Sequence, residues 1–258
     1  RNGTQPSLGR RPDVCYRPGM DDLSRHPVRG GFRLRGSEIT RLETFTDAAF
    51  AFAVSLLVIA GGQIPDSFAS LMESLKEIPA FLGSFALIMM FWHGHQQWSR
   101  RFGLEDGCAI VLSSALVFTI LVYVVPLKVL FGQGFAWASG GFLGQPFPLE
   151  GVWQLTTLFV VYGVGYVAMT GLMAALNVYA WRHRSALRLD PREEFLTRVA
   201  IWQWCLLGAP GLLSIAVAGL LPPSIGVWAG FAYMLLPIVM PIFGVTVSKR
   251  AAARGFDD

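Results

Sequence analysis

The residues able to do chemistry are few, and most of them fall in two short stretches. Arg41, Glu43 and Asp47 open the segment RLETFTDAAFAFAVSLLVIA, and Trp92, His93 and His95 lie in FWHGHQQW. Carboxylates and imidazoles together suggest a proton relay or a metal site. A His-x-His pair chelates well from a strand, but on a helix the two side chains diverge by about 200°. No cysteine or second acidic cluster completes a metal set around them. Cys15, Cys108 and Cys205 lack motif spacing and read as packing residues or chance occurrences. Ser139-Gly140-Gly141 forms no nucleophile elbow, and no base is assigned to it. The residues therefore point to no enzyme, no metal and no cofactor.

The elements that must hold these residues are set by composition. The chain has 258 residues, 53% of them hydrophobic and only 15% charged, with a mean hydropathy of +0.48. Soluble domains carry about 25% charged residues. Gly107–Leu127, Gly151–Trp181 and Val199–Ser248 are uncharged, the last broken by Leu-Leu-Pro-Pro-Ser. A spanning helix needs about 20 apolar residues. The pattern predicts an all-α membrane protein with six spans near 43–64, 78–99, 107–130, 152–180, 197–220 and 224–247. Nineteen of the 21 Lys and Arg residues lie on one side of these spans, leaving Lys76 and Lys128 on the other. The positive-inside rule then places both termini on the cytoplasmic side of a multi-pass cell-membrane protein. The net charge of +4 is explained by that membrane face, without nucleic acid.

Residues 1–37 are rich in Arg, Gly and Pro and have no apolar stretch of signal-peptide type. They are expected to form a disordered cytoplasmic tail, and a native start at Met20 would make the first nineteen residues an upstream extension. Asn2-Gly3-Thr4 matches a glycosylation pattern, but a cytoplasmic tail would not meet the enzyme. The membrane domain runs over 38–248, and 249–258 form a second cytoplasmic tail. A loop is expected over 133–150.

Tyr162-Gly163-Val164-Gly165-Tyr166 looks like a scrambled potassium-filter loop. Such a filter needs a short pore helix and a re-entrant loop, whereas this segment sits inside one unbroken apolar run. The expected fold has no re-entrant filter. Gly163, Gly165, Ala168 and Gly171 are read instead as small residues that admit a neighbouring helix.

Placed on a helix, the first span has two faces. Arg41, Phe45, Ala48, Phe52, Ser55, Ile59 and Gln63 share one, and Glu43 and Asp47 share the opposite one. A lipid-facing acid is costly, so Asp47 is expected to look into the bundle, where Trp92 and His95 could donate to it.

The spelling of this span, Arg41-x-x-x-Phe45-Thr46-Asp47, resembles the R-x-x-x-F-S-D signature of the TMEM175 family of potassium channels, with Thr for Ser. Trp92-x-x-His95 resembles that family's second-span W-x-x-H, and Pro126 sits where its third span usually ends. The resemblance covers roughly residues 38–130. It implies a homotetramer in the lipid bilayer, with K⁺ as permeant ion and the first span of each subunit lining the pore. It places an apolar constriction at Phe52, a hydroxyl layer at Ser55 and a further apolar layer at Ile59. Arg41, Phe45, Thr46, Asp47, Trp92 and His95 would hold the pore helices together. Two departures stand out. The family's third-span Asn is replaced by Ser113 or Ser114, and Phe52 stands where Ile or Leu is usual.

The rival from another class is a proton-coupled secondary transporter using Asp47 and His95, with Pro210, Pro237 and Pro241 as helix breaks. No segment of 152–247 repeats the Arg41–Asp47 pattern, so the internal repeats of many carriers are missing. A non-transporting membrane scaffold is a third reading.

Overall fold

The computed structural model describes residues 26–36, 38–60, 64–144 and 148–256. A two-stranded hairpin (β1, Val28–Arg29; β2, Phe32–Arg33) precedes the helices α1 (Arg41–Ile59), α2 (Phe68–Lys76), α3 (Ile78–Phe102), α4 (Gly107–Ala138), α5 (Val152–Arg182) and α6 (Pro191–Leu220). A single turn α7 (Pro223–Gly226), a 3-10 segment (Ala229–Leu235) and α8 (Leu236–Ala252) complete the chain. Six of these units are long and apolar enough to cross a membrane, the sixth running from Pro223 to Ala252. The core lies where α1, α3 and α4 pack on one another and on α5 and α6.

Local chemistry sets the helix starts. Thr40 caps α1 by accepting from the Glu43 N–H at 3.0 Å. Asp190 caps α6 in the same way at 2.8 Å, and the Glu193 carboxylate returns the favour to the Asp190 N–H at 3.1 Å. Each cap satisfies donors that a helix N-terminus otherwise leaves open.

Several expectations change. Helix α4 does not end near residue 130 but continues through Pro126 to Ala138, so the expected 133–150 loop begins with helix. Proline is tolerated inside membrane helices because neighbouring groups make up for the lost backbone bond. Ser139 closes α4, donating to Phe135 O at 2.7 Å and accepting from the Leu143 N–H at 2.7 Å. The final helix runs to Ala252, into the segment expected to be tail. Helix α2 was not foreseen. Tyr162–Tyr166 lies inside continuous α5. A Cβ on Gly163 would meet Ile215 at 2.5 Å and one on Gly165 would meet the Tyr123 ring at 1.9 Å, so these two glycines do admit close neighbours. Gly171 has nothing within 4 Å and does not serve that purpose.

The largest correction concerns the supposedly disordered tail. Residues 26–36 form a hairpin and a strap packed on the helices; 1–25 and 37, with Met20, Asn2 and Cys15, lie outside the described residues. Gly30 and Gly31 take left-handed φ values of 55° and 69°, which a two-residue hairpin turn requires. Phe32 is fully buried and meets the Phe102 ring edge-on at 5.3 Å. Arg35 donates to both oxygens of Glu193, at 3.0 and 2.6 Å, and to the carbonyls of Leu187 at 2.8 Å and Arg188 at 3.3 Å. The Arg33 N–H adds a 2.8 Å bond to Glu193. A short polar segment cannot fold alone, but this one uses the ends of α3 and α6 as its core.

Candidate functional site

The two faces of α1 separate in the structure as the helical period requires. Glu43, Thr46, Phe50, Ala53 and Leu57 are buried against the bundle. Arg41, Phe45, Ala48, Phe52, Ser55 and Ile59 are exposed on the other side. Phe52 is 55% exposed while Phe50, two residues away, is 4% exposed. Gln63, assigned to the same outer face, lies outside the described residues.

Polar contacts fix the inner face. Trp92 Nε1 donates to Asp47 Oδ1 at 2.8 Å, joining α3 to α1. His95 does not join it there as expected. Its Nε2 shares a 2.9 Å hydrogen bond with Ser113 Oγ on α4, and both residues are buried. The reason is register: His95 lies three residues beyond Trp92, so its ring emerges nearly a turn further along α3, opposite α4. Arg100 Nε pairs with the buried Glu43 carboxylate at 3.4 Å. Thr46 Oγ turns back on its own helix, donating to the carbonyls of Leu42 and Glu43 at 3.0 and 2.9 Å. Arg41 and Phe45 stay outside this network, exposed at the start of the helix.

The far end of α1 is tied as well. Lys128 Nζ donates to Ala60 O at 2.9 Å and pairs with Glu77 at 2.7 Å. A cation at a helix C-terminus satisfies an open carbonyl and complements the dipole. Ser55 Oγ donates to Ala51 O at 3.1 Å, so its hydroxyl proton is engaged while its oxygen remains on the outer face.

Among the described residues no group of His, Cys, Asp and Glu could hold a metal ion. His93 and His95 have separate partners, the former Gln97 at 2.6 Å.

The comparisons with known proteins fall on these same helices. The family described as "Endosomal/lysosomal potassium channel TMEM175" matches residues 41–126, from the first residue of α1 to Pro126. A protein of Marivirga tractuosa named "Potassium channel" is 33% identical over 230 residues, spanning 85% of this chain and 92% of that one. The chain belongs to the TMEM175 family. The crystal structure of a variant of the potassium channel MtTMEM175, bound to a nanobody–MBP fusion, superposes with a TM-score of 0.74 at 31% identity, covering 86% of this chain and 99% of that one. A lysosomal potassium-selective channel TMEM175 homolog from Chamaesiphon minutus shares the fold at 19% identity, with a TM-score of 0.51 over 80% of this chain and 96% of that one.

Within this TMEM175 chain, sequence reasoning found the outer face of α1, the Asp47–Trp92 pair and the buried position of His95. It left the third-span partner open between Ser113 and Ser114, and the structure takes Ser113. It missed Lys128 and the Arg100–Glu43 pair. Lys128 carried a signal, since it is one of only two cations on its side of the membrane.

Proposed function

We propose that this protein is a potassium-selective, leak-type channel. Four copies surround an axis, and the first helix of each lines the pore. The observation that carries the reading is the exposed stripe Phe45, Phe52, Ser55 and Ile59 on a helix whose opposite face is pinned by Asp47–Trp92 and Lys128–Ala60. One such stripe cannot enclose a passage, but cyclic symmetry closes it. Both termini are cytoplasmic.

The stripe gives a mechanism without a carbonyl filter. A ring of Phe52 side chains excludes water, so an ion must shed hydration to pass. Na⁺ loses more than K⁺ in doing so, and the balance favours K⁺. The Ser55 oxygens replace part of the lost shell. Ile59 supplies the next apolar layer. The inner-face network holds the helix at the angle that keeps the ring narrow.

The carrier alternative would place Asp47 and His95 on the transported path. His95 is 2% exposed and bonded to Ser113 inside one subunit, which suits a packing role.

Bi-ionic bilayer recordings of purified protein test the reading. Phe52→Ala is expected to raise conductance and bring the K⁺/Na⁺ permeability ratio close to one. Phe50→Ala is expected to keep the wild-type ratio. Equal behaviour of the two variants would remove the assigned pore face. Saturating, proton-dependent flux in place of channel currents would favour the carrier.

A further inference from the structure

Helices α6 and α8 pack on each other over part of their length, and between them lies a cleft of about 510 Å³. That size falls within the range of small-molecule sites, roughly 300–1,000 Å³. Its wall is apolar, with Trp202 and Leu206 from α6 and Val239, Ile242 and Phe243 from α8. Its rim at one end is basic. Arg198 stands in the second turn of α6, and Arg250 and Arg254 at the end of α8, all three bordering the same cleft. The two helices run antiparallel, so the rim lies on the side of the membrane that holds nineteen of the 21 cations. From Val239 to Arg250 the wall runs roughly 16 Å along the helix at 1.5 Å per residue.

The rim is built to receive an anion. The Arg198 guanidinium lies over the Trp181 ring at 4.9 Å, and Arg254 lies over the Phe195 ring at 4.9 Å. Stacking of this kind orients the guanidinium plane while leaving its N–H groups available. Among the described residues, no carboxylate forms an ion pair with Arg198, Arg250 or Arg254; nearby Glu194 pairs with Arg184 at 4.0 Å. Among the described residues, the positive charge at this rim therefore has no carboxylate counterpart.

We propose that this cleft is a binding site for an anionic phospholipid. One acyl chain lies along Trp202, Leu206 and Phe243, and the headgroup phosphate accepts from Arg198, Arg250 and Arg254. Basic clefts between membrane helices at headgroup level recognise anionic lipids by this combination. A zwitterionic lipid brings a second cation to the rim and is disfavoured. A second copy of the chain pressed on this face would bury three arginines, which is costly unless it also supplied carboxylates.

The test uses the full-length protein in detergent, offered phosphatidylglycerol and phosphatidylcholine in equal amounts, with retained lipid read by native mass spectrometry. The wild type is expected to retain phosphatidylglycerol over phosphatidylcholine by about tenfold or more. The triple variant R198Q/R250Q/R254Q is expected to bring the two lipids near parity. Lys249→Gln, one residue away but off the cleft, is expected to leave the preference intact. Thr246→Trp keeps the arginines but fills the cleft, and is expected to lower phosphatidylglycerol retention. Size-exclusion profiles and helicity establish that each variant is folded. A triple variant with wild-type preference, a Lys249→Gln loss equal to the triple variant's, or undiminished binding in Thr246→Trp would each overturn the site. So would efficient disulfide cross-linking between copies through Ile242→Cys in lipid nanodiscs, which would give the cleft to a second subunit.

Discussion

The first and last membrane helices show the same thing on the outside and opposite things underneath. On α1, Phe52 and Ile59 are 55% and 71% exposed; on α8, Ile238 and Ile242 are 61% and 62% exposed. Exposure alone does not tell the two helices apart. What lies beneath does. Helix α1 has a buried face of Phe50, Ala53 and Leu57, an indole–carboxylate bond to Trp92 and a lysine on its last carbonyl. Helix α8 has no buried residue and, among the described residues, no ion pair to its neighbours. It also carries Pro241 within its length and follows a broken stretch over residues 221–235. A helix held rigidly on one side can present its other side to a symmetry axis with fixed geometry. A helix that buries none of its residues suits the lipid boundary. The fourfold reading of α1 and the lipid reading of α8 thus rest on the same contrast.

Substitutions can break that contrast, and the largest expected effect lies where α6 holds the hairpin that precedes α1. Glu193→Ala strands Arg35 in a fully buried site, a loss of about 3–5 kcal/mol for breaking one partner of such a pair. Thermal unfolding in detergent is expected to show the lowest midpoint of this series. A midpoint near wild type would mean that the hairpin does not brace the bundle. Phe50→Ala comes next, since emptying a packed phenylalanine site costs about 3–5 kcal/mol, less whatever the surrounding helices recover by relaxing. Asp47→Ala leaves the Trp92 N–H without its acceptor, at about 1–3 kcal/mol. It is expected to lower the yield of assembled oligomer on size-exclusion chromatography, and normal assembly would show that the inner-face bond does not position α1. Ile238→Ala on α8 is expected to change stability by no more than about 0.5 kcal/mol. A loss as large as that of Phe50→Ala would erase the distinction between the two helices.

The spans were legible because an uncharged run of twenty residues has one stable place beside lipid, whatever its neighbours are. The outer face of α1 was legible for a similar reason, since the period of 3.6 fixes which side chains share a side. Partner choice was not. Asp47 needed an internal donor, and Trp92 was near enough in span order to name; His95 was paired with the same acid because nothing in the sequence gives the rotation of α3 against α4. The end of α4 was placed eight residues early because Lys128 closes the uncharged run, whereas that lysine is held by Glu77 and the Ala60 carbonyl and the helix continues to Ala138. The hairpin was missed although Val-Arg-Gly-Gly-Phe-Arg carries a two-residue turn signal. Its stability comes from α3 and α6, and arginine-rich composition hides that dependence.

The bond between Arg35 and Glu193 joins positions 158 residues apart in sequence. Its two ends therefore leave the ribosome at very different times. At synthesis rates of about 5–20 residues per second, Glu193 follows Arg35 by on the order of ten to thirty seconds. Through that interval Arg35 has no Glu193 to meet, and its guanidinium stays hydrated. Only when α6 begins does it fold down and become part of the core. The same arginine is thus a solvated cation while the chain is made and a buried one in the finished protein, and the order of synthesis keeps the two states apart.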